Sequence, residues 1–301
     1  MWIALITAMA QAASPSAMGE RAALPAREVE RSLTAPMGWS LFELGAWNTT
    51  SRGAWSATGL PVPVDGRWRL GGLQTRLRHG WGQGLEAWVR VDLRAHSRGA
   101  MGRPLQERGW VDPEVGLRWG ALENEAAGVW LALDGYARAA AGVDGRPLDG
   151  PNPQLALSTG VNQLGAAVAL RKRFGGLRLD GQVRAERGIP GFAGHVQGWL
   201  DSGWLLRSDA AALLQVGPLW AEGVADVRLR TLATVDGRPM LDSDGRWSST
   251  GVNAGIQVSR GLRVGGGAAW PLDGTGWAFP GVEPLSPIRG VTGQLTAEVA
   301  L

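Results

Sequence analysis

The sequence predicts an all-β fold: a closed antiparallel up-and-down transmembrane β-barrel of about 12 strands, with short periplasmic turns and long extracellular loops. Three observations predict it: a period of two in hydrophobicity along nearly the whole chain, segments about 10 to 14 residues long, and connections that alternate between short and long. The period is plainest from Leu85 to His96. Leu85, Ala87, Val89, Val91, Leu93 and Ala95 form one row, and Glu86, Trp88, Arg90, Asp92, Arg94 and His96 form the other. Successive side chains of a strand point to opposite faces, so one face is apolar and the other almost wholly charged. The same division recurs from Leu177 to Glu186, from Leu219 to Arg230 with Val224 as the exception, and from Val291 to Leu301.

In chain order, up-going strands are expected near 39–49, 85–97, 127–139, 177–187, 219–231 and 262–270. Their down-going partners are expected near 67–79, 111–120, 163–173, 204–216, 247–259 and 288–301. Each down strand turns tightly into the next, at Gly80–Gly84, Gly175-Gly176, Gly217-Pro218 and Arg260-Gly261, with 121–126 somewhat longer. Up strands end in long links such as 50–66, 140–162 and 271–287, which hold most of the prolines. Closure removes the strand edges that so much alternating sequence would otherwise expose. The apolar rows are leucine, valine, alanine and glycine, which suits a face against fluid lipid better than a jigsaw core. Trp39, Trp47, Trp55, Trp68, Trp81, Trp110, Trp119, Trp247, Trp270 and Trp277 fall near strand ends or in adjoining loops and are expected to form interfacial belts. Asp-Gly recurs in the links, at Asp65-Gly66, Asp144-Gly145, Asp236-Gly237 and Asp244-Gly245, and reads as turn chemistry with positive φ.

Composition narrows the rest. Only 19% of the 301 residues are charged, against roughly a quarter in ordinary globular proteins. The absence of cysteine excludes disulfides, thiolate metal sites and a cysteine nucleophile. A net charge of +3, carried by dispersed arginines with Lys172 the only lysine, gives no basic tract for a nucleic-acid partner. Trp2–Ala10 is apolar and is followed by Ala10-Gln11-Ala12, a small-x-small cleavage pattern. The expected organisation is therefore a signal peptide over 1–12, an N-terminal periplasmic segment over 13–37, and an outer-membrane barrel over 38–301.

Catalytic signatures are lacking: no Gly-x-Ser-x-Gly, Walker A loop or His-Glu-x-x-His occurs. His79, His96 and His195 read as polar rim residues, and Ser208 and Ser259 face no histidine at an obvious cross-strand position. Asp242-x-Asp244-Gly245 lacks the further oxygen ligands of a calcium loop, so neither metal nor cofactor is expected. The remaining chemistry lies in the charged rows. Arg90, Asp92, Arg94, Arg118, Arg178, Asp180, Arg184, Glu186, Glu222, Asp226, Arg228 and Arg230 are the expected lumen-lining residues. Two readings stay open for them: a salt-bridged network that stiffens and nearly fills a narrow barrel, or a water-filled lumen whose arginine excess favours neutral or anionic solutes.

The segment Gly109-Trp110-Val111-Asp112-Pro113-Glu114-Val115-Gly116-Leu117-Arg118-Trp119 resembles the Gly-Asp-x-x-x-Gly strand of a bacterial outer-membrane family, that of the MetA-pathway of phenol degradation. The likeness extends through Leu131-Ala132-Leu133, the stretch Ala167 to Gly181 and the stretch Gly265 to Leu272. Arg138-Ala139-Ala140-Ala141-Gly142 stands where that family has Pro-Thr-Gly, and Leu301 stands where a terminal aromatic completes its assembly signal. The resemblance implies a transporter of aromatic or other small hydrophobic compounds. Its expected partners are outer-membrane lipid, a small permeant, and the barrel-assembly machinery through the C-terminal strand. The chain is thus read as a non-enzymatic channel of the bacterial outer membrane. A structural or adhesive barrel acting through its long loops is the alternative, and a membrane-embedded lipid hydrolase is less favoured.

Overall fold

The computed structural model describes residues 22–56, 60–100, 103–142, 157–240, 243–275 and 288–301. The expected signal peptide lies outside them, as do Asp144, Asp242 and Trp277. Among these residues, seventeen strands follow a 3-10 turn, Glu28–Glu30. They are β1 (Ser40–Trp55), β2 (Pro61–Gly82), β3 (Leu85–Ala100), β4 (Arg103–Trp110), β5 (Glu114–Asn124), β6 (Val129–Arg138), β7 (Gln163–Phe174), β8 (Leu177–Gly188), β9 (Gly191–Ala193), β10 (Gly198–Asp201), β11 (Trp204–Val216), β12 (Leu219–Arg230), β13 (Thr234–Val235), β14 (Arg238–Pro239), β15 (Gly245–Ser259), β16 (Leu262–Thr275) and β17 (Ile288–Ala300). With β4 and β5 counted as one interrupted strand, twelve antiparallel strands close into a barrel. Closure comes from β1, whose Leu41 to Ser51 pair with Ala300 to Gly290 of β17, while its other edge pairs with β2.

Where the chain departs from regular strands, the cause is local. The expected strand 111–120 starts only at Glu114, and Val111-Asp112-Pro113 separates it from β4 upstream, because Pro113 has no N–H to give to a ladder. Asp112 fixes the break: its carboxylate accepts the N–H groups of Ala141, Gly142 and Thr159 at 3.1, 3.0 and 2.7 Å, which ties the following long link to the barrel mouth. Tight turns at the short end use left-handed residues, as at Gln83 (φ 50°) and Gly84 (φ 69°). Asp236 (φ 52°) and Gly237 (φ 74°) make the same kind of turn between β13 and β14, whereas Asp65-Gly66 lies within β2 and is not a turn. The links 189–203 and 231–244 are not plain loops. They supply β9, β10, β13 and β14, a four-stranded sheet in the order β14-β13-β10-β9, packed over Ala193, Leu200, Ala233 and Val161.

The two faces of the wall differ as lipid and lumen require. Large apolar side chains such as Leu117, Leu164, Val183, Val252 and Leu295 stand exposed on the outside. Among the described residues no helix is long and apolar enough to cross a membrane, so the strands do the crossing. The expected tryptophan belts need correcting. Trp81, Trp110, Trp119 and Trp270 are exposed on the outer face, but Trp68 and Trp247 are buried inside the barrel, and Trp47 packs there against Trp68 and Leu70. Trp68 and Trp247 both lie on inner rows, the first opposite Ser51 of β1 and the second opposite the inward Arg228 of β12, and lumen-facing glycines leave room for other inner rings. A Cβ on Gly72 would lie 3.1 Å from the Trp47 indole, and one on Gly116 would lie 2.6 Å from that of Trp88. Arginines stack on inner rings as well, Arg228 at 4.8 Å from the Trp247 centroid and Arg263 at 5.1 Å from that of Trp220. Gly116→Val should therefore push Trp88 from its seat and cost about 1–3 kcal/mol. A lowered urea midpoint for loss of the heat-modifiable band checks this; an unchanged midpoint would contradict it.

Candidate functional site

The lumen is lined by the charged rows, and their pairing can be followed strand by strand. On β3, Asp92 accepts from Arg90 at 2.8 Å and lies 3.8 Å from Arg94. Arg118 and Asp134 face each other across β5 and β6 in a two-pronged pair of 2.7 and 3.0 Å. Arg138 joins Glu114 (2.6 Å) to Glu186 (3.2 Å), and Arg184 lies 4.0 Å from Glu186. Asp180 receives both Arg171 (2.6 Å) and Arg178 (2.9 Å). On β11 and β12, Asp226 is shared by Arg207 (3.1 Å) and Arg228 (2.8 Å), and Arg207 also reaches Asp209 at 2.8 Å. Glu222 accepts from the Asn253 amide at 3.1 Å, and Arg230 sits at the long-loop end of the same row.

Sequence reasoning missed what lies across one end of this lumen. Residues 24–36, expected as part of a segment outside the barrel, run across its short-turn end with Leu24, Glu28, Val29, Arg31, Leu33, Thr34 and Ala35 buried. Barrel side chains hold the segment by its backbone. Arg78 and Arg118 donate to the Leu33 carbonyl (2.8 and 3.0 Å), Arg171 donates to those of Arg31 and Ser32 (2.7 and 2.9 Å), and Arg178 donates to that of Glu28 (2.8 Å). In return, the N–H groups of Glu28, Val29 and Ala35 reach Gln257, Gln215 and Glu86. Two apolar anchors complete the seat: Val29 against Leu213 and Trp220, and Leu33 against Trp130, Ala132 and Ala169. Ion pairs join them, Glu28 with Arg178 and Arg263 at 3.1 Å each, and Arg31 with Glu298. Burial pushes the Glu28 carboxyl up, but Arg263, Arg178, Arg31 and Arg171 outweigh it and hold the group at about 2.

Above this plug lies a cavity of about 440 Å³, bounded below by Arg31, Ser32 and Leu33 and at the sides by Arg76, Arg207 and Asp226. Arg76, Arg78, Glu86, Arg171, Arg207 and Glu298 were not among the expected site residues. Arg76 and Arg78 alternate with Thr75 and Leu77, which was a usable signal; Arg207 and Asp209 share their inward row with Leu205, Ala211 and Leu213, which hid them. His79, His96 and His195 are all buried. His79 Nδ1 lies 2.9 Å from Ser40 Oγ, a cross-strand serine–histidine pair on β1 and β2 that sequence inspection did not find. No cluster that could hold a metal ion occurs among the described residues.

Closure, an apolar outer wall and an ionic interior define the class: a β-barrel of the Gram-negative outer membrane. No protein-family model and no curated protein matches the chain. Among solved structures, an outer membrane channel from Pseudomonas putida F1 aligns with a TM-score of 0.75 over 89% of this chain and 97% of its own, at 14% identity. The NanC porin aligns with a TM-score of 0.50 over 87% of this chain and all of its own, at 7% identity. Likeness at such identities is one of fold.

Proposed function

We propose that the protein is an outer-membrane channel that passes a small solute through its arginine-rich lumen and is closed at the periplasmic end by residues 24–36. The observation that carries this reading is the 440 Å³ cavity between charged walls, a space of the size that small molecules occupy. The likeness of fold to the Pseudomonas putida channel supports it, and so does the resemblance to the phenol-degradation family, from which aromatic or other small hydrophobic compounds follow as the solute class. The chain acts without catalysis in this reading. Its twelve lumen residues from Arg90 to Arg230 screen the solute, and β17 is the strand presented to the barrel-assembly machinery. Single-channel recording of the folded, full-length protein in a planar bilayer should give discrete conductance steps. Silence from heat-modifiable, correctly inserted protein would reject the reading.

One observation favours a second function, that of an adhesive barrel. Phe192 and Trp199 pair across β9 and β10 on the long-loop side, and both side chains are largely exposed. Replacing both by serine should weaken attachment of cells to a surface or partner while conductance stays the same. A loss of conductance with attachment intact would count against it.

A further inference from the structure

The cavity above the plug holds one arginine that the ionic network leaves out. Arg78 is taken by Glu86 at 2.7 Å, Arg118 by Asp134, Arg171 by Asp180, Arg207 by Asp209 and Asp226, and Arg31 by Glu28 and Glu298. Arg76 has neither hydrogen bond nor ion pair among the described residues; its guanidinium lies over the Trp88 ring, 4.9 Å from the centroid. Glu43, opposite it on β1, attracts it but makes no ion pair with it. Glu43 on β1 gives its oxygen to Arg78 at 3.4 Å, and Arg90 on β3 is itself a cation, paired with Asp92. A guanidinium in a lumen wall with no carboxylate of its own is a cost to the fold unless something anionic visits it.

We propose that Arg76 is the selecting residue of a binding site for a small organic monoanion, a monocarboxylate, held in the cavity above the plug. The site takes one negative charge because it offers one unspent cation. The planar fork of Arg76 matches a carboxylate edge-on, with two parallel hydrogen bonds. The body of the solute then lies against Ala211 and Val224, small apolar side chains of the inner rows on the same cavity. A second carboxylate would meet Asp209 and Asp226, whose charges are directed at Arg207, and would be repelled. The plug below gives the solute a floor, so it pauses here before the lumen opens. This assignment rests on the channel reading and deepens it from a small hydrophobic solute to one that also carries a single carboxylate.

Titration calorimetry of the folded, full-length barrel with sodium propionate tests the site without requiring conduction, and bilayer recording with the same salt tests passage. Propionate should bind, with propionamide and succinate both weaker. Arg76→Gln should lower the propionate affinity at least about tenfold, and Arg76→Lys should recover part of it. In recordings, Arg76→Gln should also shift the reversal potential in a salt gradient away from anion preference. Heat-modifiable migration confirms that each variant is folded. Equal propionate binding by the wild type and Arg76→Gln, absence of binding by the wild type, or propionamide binding as tightly as propionate would each overturn the assignment. Conductance without propionate binding rejects the site alone, whereas binding without conductance rejects the channel and leaves the site standing.

Discussion

Conductance should rise severalfold when residues 22–36 are excised, because nothing else among the described residues spans the short-turn end of the lumen. The plug is held by hydrogen bonds from four barrel arginines, Arg78, Arg118, Arg171 and Arg178, to its carbonyls and by two small apolar contacts. Excision leaves those arginines facing water, which solvates them well, so the barrel wall should stay closed and folded. Acid should act in the same direction through Glu28. Its carboxyl is held at about 2, below the ordinary 4.5, so the seating energy it supplies is fully present above 4.5. That energy fades as the pH falls from 4.5 toward 2, where protonation leaves Arg178, Arg263 and Arg31 with only the ion pairs to Glu298 and Asp180 among the described residues. The full-length channel should therefore open in acid over that window, and Glu28→Gln should be more open at neutral pH. If the excised protein conducts no better than the full chain, residues 24–36 are not the barrier.

Glu86→Ala should be the most damaging single substitution on stability, at about 3–5 kcal/mol. Glu86 is fully buried and grips Arg78 with both oxygens, at 2.9 and 2.7 Å, while one of them also takes the Ala35 N–H at 2.6 Å. Truncation strands Arg78 in the wall and unties the plug at once. Removing both charges, as Arg78→Met with Glu86→Met, should recover much of the loss, since a buried pair replaced by apolar groups leaves no unpaired ion. Urea titration followed by heat-modifiable migration reads both variants. A double variant no more stable than Glu86→Ala would show that the cost lies in the plug contacts and not in the stranded guanidinium.

The strands were legible because their environment is written in their rows. Leu85 to His96 alternates with Trp88 as the one apolar member of the charged row, and its charged members point to the lumen while Val89 and Leu93 belong to the outer row. Less legible was anything met by the inner row. Trp68 and Trp247 look like interfacial anchors by position, yet both turn inward to a buried place. The break at Pro113 was visible as a proline, but its purpose was not, because Asp112 acts on Ala141, Gly142 and Thr159, up to 47 residues away. The small sheet β14-β13-β10-β9 joins pieces of two separate links, and strands of two to four residues carry no period to read.

What the amino-acid order determined by itself was the wall: its twelve crossings, its closure, and which side of each strand meets hydrocarbon. A two-residue repeat states the polarity on either side of a ribbon, and a membrane admits such ribbons only as a closed barrel. Only the tertiary structure decided what occupies the enclosed space. Residues 24–36 have no repeat, and their seat is built from arginines, glutamines and glutamates that come from strands far along the chain and meet only when the barrel closes. The same closure decides that Arg76 has no ion pair among the described residues, although Glu43 stands opposite it, because pairing within the lumen depends on which strands stand side by side and at what register.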